Sequence, residues 1–340
     1  MSELRASGSS RGHVALVTTS YPTHPGDPSG HFVAAEARAL ARAGHAVTVV
    51  APSVVHDRAL RVEQRDGVEV RWIPAGDAFG LPGAWLRLRE RPQRAFGALR
   101  FIRGARRELT RLEAVERVVA HFLVPSGFPI GMRLSHVPLE VVVHGSDLGV
   151  VEALPLSLRK RLAQSLGSAS IRCVSSELRE RLGRALGPAL LARAHVEASP
   201  LELEPVLERD AARRALGLAP DARLAVVVGR LIPSKRCDLA LRAARLVPGA
   251  RLVVVGDGPE RARLEREFPE ARFTGAVPRP RALEWLSAAD VLVSASEREG
   301  APSVVREARA LGTRVVALPA GDLEAWSRED PGLTVLEGVR

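Results

Sequence analysis

Cysteine, aromatic surface and long apolar runs are all scarce in this chain. The two cysteines, Cys173 and Cys237, lie far apart and match no metal or redox spacing. That excludes a disulfide-built fold and makes the cytoplasm the expected compartment. Four tryptophans and one tyrosine give few platforms on which bases could stack, and no recognised nucleic-acid motif is present. No nucleic-acid partner is therefore expected. No run approaches the roughly 18 apolar residues that a membrane-spanning helix needs. The opening, residues 1–12, is polar, lacks the apolar stretch of a secretory signal and reads as a disordered lead-in. Neither a Walker A sequence nor an Asp-x-Asp motif occurs.

What the chain has in excess is arginine. There are 49 Lys+Arg against 39 Asp+Glu, a net charge of +10, and nearly all the basic residues are arginine. Part of this is a compositional habit, since alanine and arginine recur everywhere. The excess still favours anionic partners: nucleotide phosphates, acidic lipid surfaces or nucleic acid. At 340 residues the chain is too long for one ordinary α/β core and suits two.

Short valine-rich runs alternate with stretches of helical periodicity. In the first half the spacing predicts strands over 14–17, 46–51, 68–73, 117–120, 139–143 and 171–174, with a helix from about Phe32 to Ala43. Strand, helix, strand is the repeating unit of a parallel sheet. A loop rich in proline and glutamate, 197–210, precedes a restart of the rhythm. Strands follow at 224–228, 251–255, 272–274, 291–294 and 314–317, with helices at 237–247, 259–268, 280–288 and 302–311. Proline opens three of these helices, where no backbone N–H is needed. The expected organisation is a lead-in (1–12), a first Rossmann-like domain (13–199) and a second (200–340). Both are doubly wound parallel sheets with ligands at the carboxyl ends of their strands.

The second half carries most of the chemistry. Gly229-Arg230-Leu231 ends one strand, and Lys235 follows five residues after Arg230. Two cations on such a loop can hold a diphosphate and stabilise a departing negative charge; they can equally be two solvated residues of an arginine-rich surface. Further on comes Glu299-Gly300-Ala301-Pro302-Ser303-Val304-Val305-Arg306-Glu307. The glycine lets backbone approach a ligand, and the helix opening at Pro302 offers free N–H groups to an anion. Glu299 and Glu307 could face one pocket and grip sugar and ribose hydroxyls, or could simply be an acidic helix start and a surface residue. In the first half, Gly30 stands at the first strand-to-helix junction. His121 and His144, the latter in His144-Gly145-Ser146-Asp147, each follow a strand and so fall on the rim of the expected site.

In order and spacing these pieces resemble the retaining GT-B glycosyltransferases of family 4, from about residue 13 to 325. The matching segments are Gly229-Arg230-Leu231 with Lys235, Gly256-Asp257-Gly258-Pro259, Phe273-Thr274-Gly275-Ala276-Val277, Ala289-Asp290-Val291 and the pair Glu299 and Glu307 with seven residues between them. The resemblance implies a GT-B fold, two Rossmann-like domains facing a cleft, and transfer of a sugar from a nucleotide diphosphate with retention at the anomeric carbon. It implies that Arg230, Lys235 and the helix start at Gly300, Ser303 and Val304 hold the diphosphate, with Gly30 facing the donor phosphate. It further implies that Val277 reads the base through backbone, Glu299 holds the donor sugar and Glu307 the ribose, while His144 and His121 lie near the sugar and the attacking hydroxyl. No cofactor and no metal are expected, only a nucleotide-sugar donor and a hydroxyl acceptor (a glycan, a lipid-linked compound or a small molecule).

Several positions depart from the family pattern. Ala198-Ser199-Pro200-Leu201-Glu202 stands where an Asn-Gly-Val-Asp-like turn is usual, and Ala301 where a bulky apolar residue is common. Family members usually continue into C-terminal helices, whereas this sequence stops at Arg340, so a shortened second domain is expected. Residues 85–112 hold nine arginines against two glutamates, interleaved with Trp85, Leu86, Phe96, Leu99, Phe101 and Ile102. Such a face fits peripheral contact with an anionic inner-membrane surface, or a solvated helix packing its apolar side on the sheet. Two rivals remain to the enzyme reading. A dinucleotide oxidoreductase would need G-x-G-x-x-G, but Arg261 stands at the third position after Gly256 and Gly258. A non-catalytic nucleotide- or polyanion-binding protein of the same fold would bind without turnover.

Overall fold

The computed structural model describes residues 11–53, 59–80, 84–134, 136–203 and 206–336, with backbone alone at Trp85 and Leu86. Of the lead-in, only Arg11 and Gly12 fall among them; residues 1–10 lie outside the described residues. The chain divides into two compact units. The first comprises Met1–Thr23, Ser29–Cys173 and Leu182–His195, and the second His24–Pro28, Val174–Arg181 and Val196–Arg340. The main break thus falls at 195/196, against the 199/200 read from the sequence.

The first unit is built on eight strands: β1 (His13–Val17), β2 (Ala46–Ser53), β3 (Arg61–Arg65), β4 (Val68–Pro74), β5 (Val115–His121), β6 (Leu139–Val143), β7 (Ser170–Cys173) and β8 (Ala194–Val196). Their order is β3-β4-β2-β1-β5-β6-β7-β8. From β4 to β7 the pairings are parallel, while β3 closes one edge antiparallel to β4. Valine dominates the central strands, such as β1, β2 and β6, because helices cover both faces and most side chains there are buried in apolar surroundings. One covering helix, Ala95–Arg111, lies within the basic stretch and buries Phe101, Ala105 and Leu109. These positions, four residues apart, pack with Ile73, Phe79 and Val118.

The second unit carries β9 (Leu224–Val228), β10 (Arg251–Val255), β11 (Arg272–Phe273), β12 (Val291–Ser294), β13 (Arg314–Ala317) and β14 (Leu333–Val335). All are parallel, in the order β11-β10-β9-β12-β13-β14. The two-residue period of each strand sorts its side chains onto two cores. Val226 and Val253 face Leu283, Leu286 and Val305, whereas Val227 and Val254 face Leu241, Leu264 and Phe268. The helices open within one or two residues of the expected positions, at Cys237, Arg261, Arg279 and Ser303. The fold is that of two Rossmann-like α/β units with parallel sheets.

Candidate active site

In the second unit the strand order reverses between β9 and β12, which lie side by side. Loops leaving their carboxyl ends run in opposite directions, and such a switch point is where open α/β sheets bind ligands. Gly229-Arg230-Leu231 leaves β9 and is zipped to the loop after β10. Gly229 N–H donates to Val255 O at 3.0 Å, and Leu231 N–H to Asp257 O at 2.9 Å. Gly256 sits so tightly here, at φ 142°, that a Cβ on it would lie 1.9 Å from Gly229 O. Backbone packing therefore accounts for that glycine. Leu231 is buried and anchors the loop, leaving Arg230 exposed. Lys235 closes the short turn Pro233–Lys235, and its Nζ donates to Glu299 Oε1 on the loop after β12. A second tie joins the same two loops, from Glu297 N–H to Ser234 O at 2.9 Å.

Gly300 is buried in the turn beyond Glu299, and the helix Ser303–Ala310 then begins with Pro302 as its N-cap. Pro302 O accepts from Val305 and Arg306 N–H at 3.1 and 3.2 Å. The amides of Ser303 and Val304, at the first turn, have no acceptor within the helix. Ser303 is half-buried, and Val304 leans on the core. One turn on, buried Glu307 pairs with Arg279 at 3.0 Å. The same guanidinium donates to Glu202 O at 2.8 Å. Arg279 is buried too, and it opens the helix after Val277-Pro278, so it ties the Val277 loop to Glu307. Thus Glu299 and Glu307 each have a cation of their own.

The sequence reading missed Arg279. A signal was there: arginine in the first turn of a helix sits at the positive end of the dipole, an unfavourable place without a carboxylate partner.

The first unit repeats the reversal, between β1 and β5. Gly30 begins the helix His31–Arg42 at φ 63°, and a Cβ there would lie 2.2 Å from Ser20 O, so the returning chain demands glycine. His121 ends β5 and His144 follows β6. Their rings stack at 17°, with His121 Nδ1 3.0 Å from His144 Nε2. His144 is half-buried, its ring 4.5 Å from that of Phe32. His121 differs from the expectation of a rim position: it is 0 % exposed. It is the last residue of β5, and its ring is sealed between the stacked His144 ring and Glu36 of the helix His31–Arg42. Asp147 fixes the loops around both, accepting from Leu123 N–H at 2.7 Å, Gly145 N–H at 2.9 Å and His144 N–H at 3.2 Å.

Comparison with known proteins matches each half to a glycosyltransferase family: residues 29–196 to Glycosyltransferase Family 4, and residues 222–338 to Glycosyl transferases group 1. TuaC of Bacillus subtilis, a glycosyltransferase assigned to teichuronic acid biosynthesis, is 28% identical over 337 residues, covering 92% of this chain and 82% of its own. Among solved structures, sucrose-phosphate synthase of Thermosynechococcus elongatus superposes with a TM-score of 0.74 at 19% identity, over 97% of this chain and 87% of that one. Anabaena HepE in complex with UDP and glucose follows at 0.61 and 16%, over 92% and 82%. The chain is a glycosyltransferase of GT-B fold.

The glycosyltransferase keeps several titratable groups away from water, and this sets their charge. Burial, helped by the nearby Arg172, pushes His121 down to about 3. Burial, then His121 and Arg172, holds His144 well below the usual imidazole range. Both rings are therefore neutral at pH 7, each with one N–H and one lone pair. Burial also raises the Asp147 carboxyl, against the pull of the amides it accepts from. It raises Glu307 as well, against Arg279 and Arg306.

Proposed function

We propose that this glycosyltransferase moves a hexosyl group from a nucleotide-diphosphate sugar to a hydroxyl acceptor, with retention at the anomeric carbon. The reading is carried by one observation. The loops after β9 and β12, the strands at which the order reverses, bring Lys235 and Glu299 into contact just ahead of the amide end of Ser303–Ala310. A pyrophosphate competes well for such an ammonium, and free helix amides suit its second phosphate. Arg230, Lys235 and the amides of Gly300, Ser303 and Val304 hold the diphosphate. Gly30, at the start of its own helix, faces the donor phosphate. Glu299 takes sugar hydroxyls, Glu307 the ribose, and backbone near Val277 the base.

As the bond from anomeric carbon to diphosphate oxygen breaks, the sugar gains oxocarbenium character and the cations take up the leaving charge. The acceptor hydroxyl attacks on the same face beside His144, and its proton passes to the departing phosphate oxygen. No protein nucleophile and no metal enter this scheme. HepE bound to UDP and glucose supports a nucleotide-sugar donor by analogy. The decisive assay incubates the protein with a panel of nucleotide sugars in EDTA and follows nucleotide release and sugar transfer by mass spectrometry. Turnover of at least one donor, with an α-linked donor giving an α-linked product, is expected. Binding of nucleoside diphosphates without any turnover would leave a non-catalytic binding protein.

The helix Ala95–Arg111 favours a second element of the reading, contact with an anionic inner-membrane surface by an otherwise cytoplasmic enzyme acting on a lipid-linked acceptor. Its buried residues account for only one face. Phe96 is 79 % exposed and Leu99 46 %, beside exposed Arg100, Arg103 and Arg107. No helix among the described residues is long and apolar enough to cross a membrane. Each basic residue near an anionic surface contributes about 1 kcal/mol. Reversing the three arginines to glutamate is therefore expected to weaken sedimentation with phosphatidylglycerol vesicles by roughly 100-fold or more. An unmodified protein that ignores such vesicles at low salt would remove the membrane element.

A further inference from the structure

Beneath His144 a buried chain of side chains runs entirely within the first unit. Arg172 donates to Glu36 Oε1, and its Nε lies 3.5 Å from Glu140 Oε1. The other oxygen of Glu36, Oε2, faces His121 Nε2 at 3.7 Å. Both of these atoms are buried, and neither has a hydrogen-bond partner among the described residues. On its far side His121 meets His144, Nδ1 to Nε2, at 3.0 Å.

The electrostatics of these contacts favour one proton arrangement. A neutral imidazole has one N–H, and its other nitrogen is an acceptor. A lone pair on His121 Nε2 would repel the carboxylate oxygen it faces, whereas an N–H is attracted to it. The proton therefore sits on Nε2. His121 Nδ1 is then an acceptor, so His144 Nε2 must be the donor across the 3.0 Å contact. That leaves the lone pair of His144 on Nδ1. Arg172 stabilises the Glu36 carboxylate, so this oxygen need not draw a second proton onto His121, and burial disfavours the imidazolium. Asp147 does not compete, because its oxygens accept from backbone amides. Phe32 and Phe122, with ring centroids 4.5 and 5.0 Å away, hold the plane of the His144 ring.

We infer that His121 is a positioning residue which, backed by Glu36, fixes His144 as the Nε2–H tautomer, so that His144 accepts a hydrogen bond from the incoming hydroxyl through Nδ1. The second half of this statement rests on the transfer reaction proposed above; the first does not. In the ground state His144 thus holds the hydroxyl with its oxygen toward the anomeric carbon. As the new C–O bond forms, the O–H turns from Nδ1 to the departing phosphate oxygen, which takes the proton, and the imidazole stays neutral throughout.

Two measurements test it. Long-range proton–nitrogen correlation spectra of the full chain, labelled with 15N-histidine at pH 7.5, are expected to show both rings neutral and protonated at Nε2. A His144 protonated at Nδ1, or an imidazolium at either site, overturns the inference. In kinetics with a donor that turns over, His121→Leu is expected to lower kcat about 10–100-fold, with the donor KM unchanged within about 2-fold. His121→Asn, whose Oδ1 takes the place of Nδ1 as acceptor, is expected to recover most of the loss. Equal loss in both variants overturns the positioning role. If His121→Leu does not fold, the spectra of the unmodified protein decide alone. Absence of turnover with every donor would sink the reaction, while the spectra would still decide the tautomer.

Discussion

Replacing Lys235 with alanine is expected to lower turnover about 100–1,000-fold while changing stability little. The two effects separate because the ammonium does different things in the two settings. In the fold it pairs with Glu299, and both side chains keep some solvent contact, 23% and 16%. Pairs of this kind contribute at most about 1 kcal/mol. In the proposed reaction the same ammonium meets charge that grows on the diphosphate only as the glycosidic bond breaks. A preorganised group aimed at developing charge is worth about 3–4 kcal/mol. Donor affinity should fall less than kcat, because Arg230 and the helix amides still hold the ground-state diphosphate. Composition adds a contrast: this chain has only two lysines, Lys160 and Lys235, among 49 basic residues. Lys160 lies exposed on the helix Leu156–Ser165, and Lys160→Ala should leave kcat untouched. Steady-state kinetics of both variants, beside thermal unfolding, check the point. If Lys235→Ala kept kcat within about 3-fold of the unmodified enzyme, the assigned charge stabilisation of ~3–4 kcal/mol would be wrong.

The sheets were legible because burial on both faces forces continuous valine-rich runs, as in Leu224–Val228 and Leu139–Val143. Helix starts were legible through proline at Pro280 and Pro302. Strand β3 was not, because an edge strand is mostly solvated and its Arg-Val-Glu-Gln-Arg sequence has no apolar run. The turn held a signal that went unread: Asp66-Gly67, at φ 52° and 76°, is the two-residue link that a tight hairpin selects. The short strand β14 passed unnoticed because three residues carry too little periodicity to read. At the candidate site, spacing found the loops but not the pairing within them. Nothing in one dimension says that Lys235 meets Glu299, or that Glu307 meets Arg279, since strand order sets those contacts. Nor does the end of a strand reveal depth. His121 and His144 occupy equivalent places after neighbouring strands, yet one is sealed and the other half-open.

Arg279→Ala is expected to destabilise the protein by about 3–5 kcal/mol at pH 7.5, because it leaves a buried carboxylate without its counter-charge. Glu307 and Arg279 are 7 % and 8 % exposed, so water cannot replace the guanidinium. The loss should depend on pH with a definite sign. Burial already raises the Glu307 carboxyl above its ordinary value, with Arg279 the foremost group pulling it down. Without Arg279 it rises further. The folded variant then holds a proton that the unfolded chain has released, so stability falls as pH climbs through the window above the ordinary Glu range. The slope can reach about 1.4 kcal/mol per pH unit for one group. Denaturant unfolding at pH 5 and pH 8 should therefore show a smaller penalty at the lower pH. Adding Glu307→Gln to Arg279→Ala should restore much of the stability, since a neutral amide needs no cation.

The same pair also tests the ligand role. Glu307→Gln alone leaves buried Arg279 without its counter-charge and so also lowers stability, eased by the Glu202 carbonyl that the guanidinium keeps. The folded variant should bind the donor roughly 10-fold more weakly, as a hydrogen bond to a charged acceptor is exchanged for one to a neutral amide. A penalty for Arg279→Ala that is identical at both pH values would mean that Glu307 carries no charge to be compensated. The carboxylate assigned to the ribose would then have to be sought elsewhere on the loops of the second sheet.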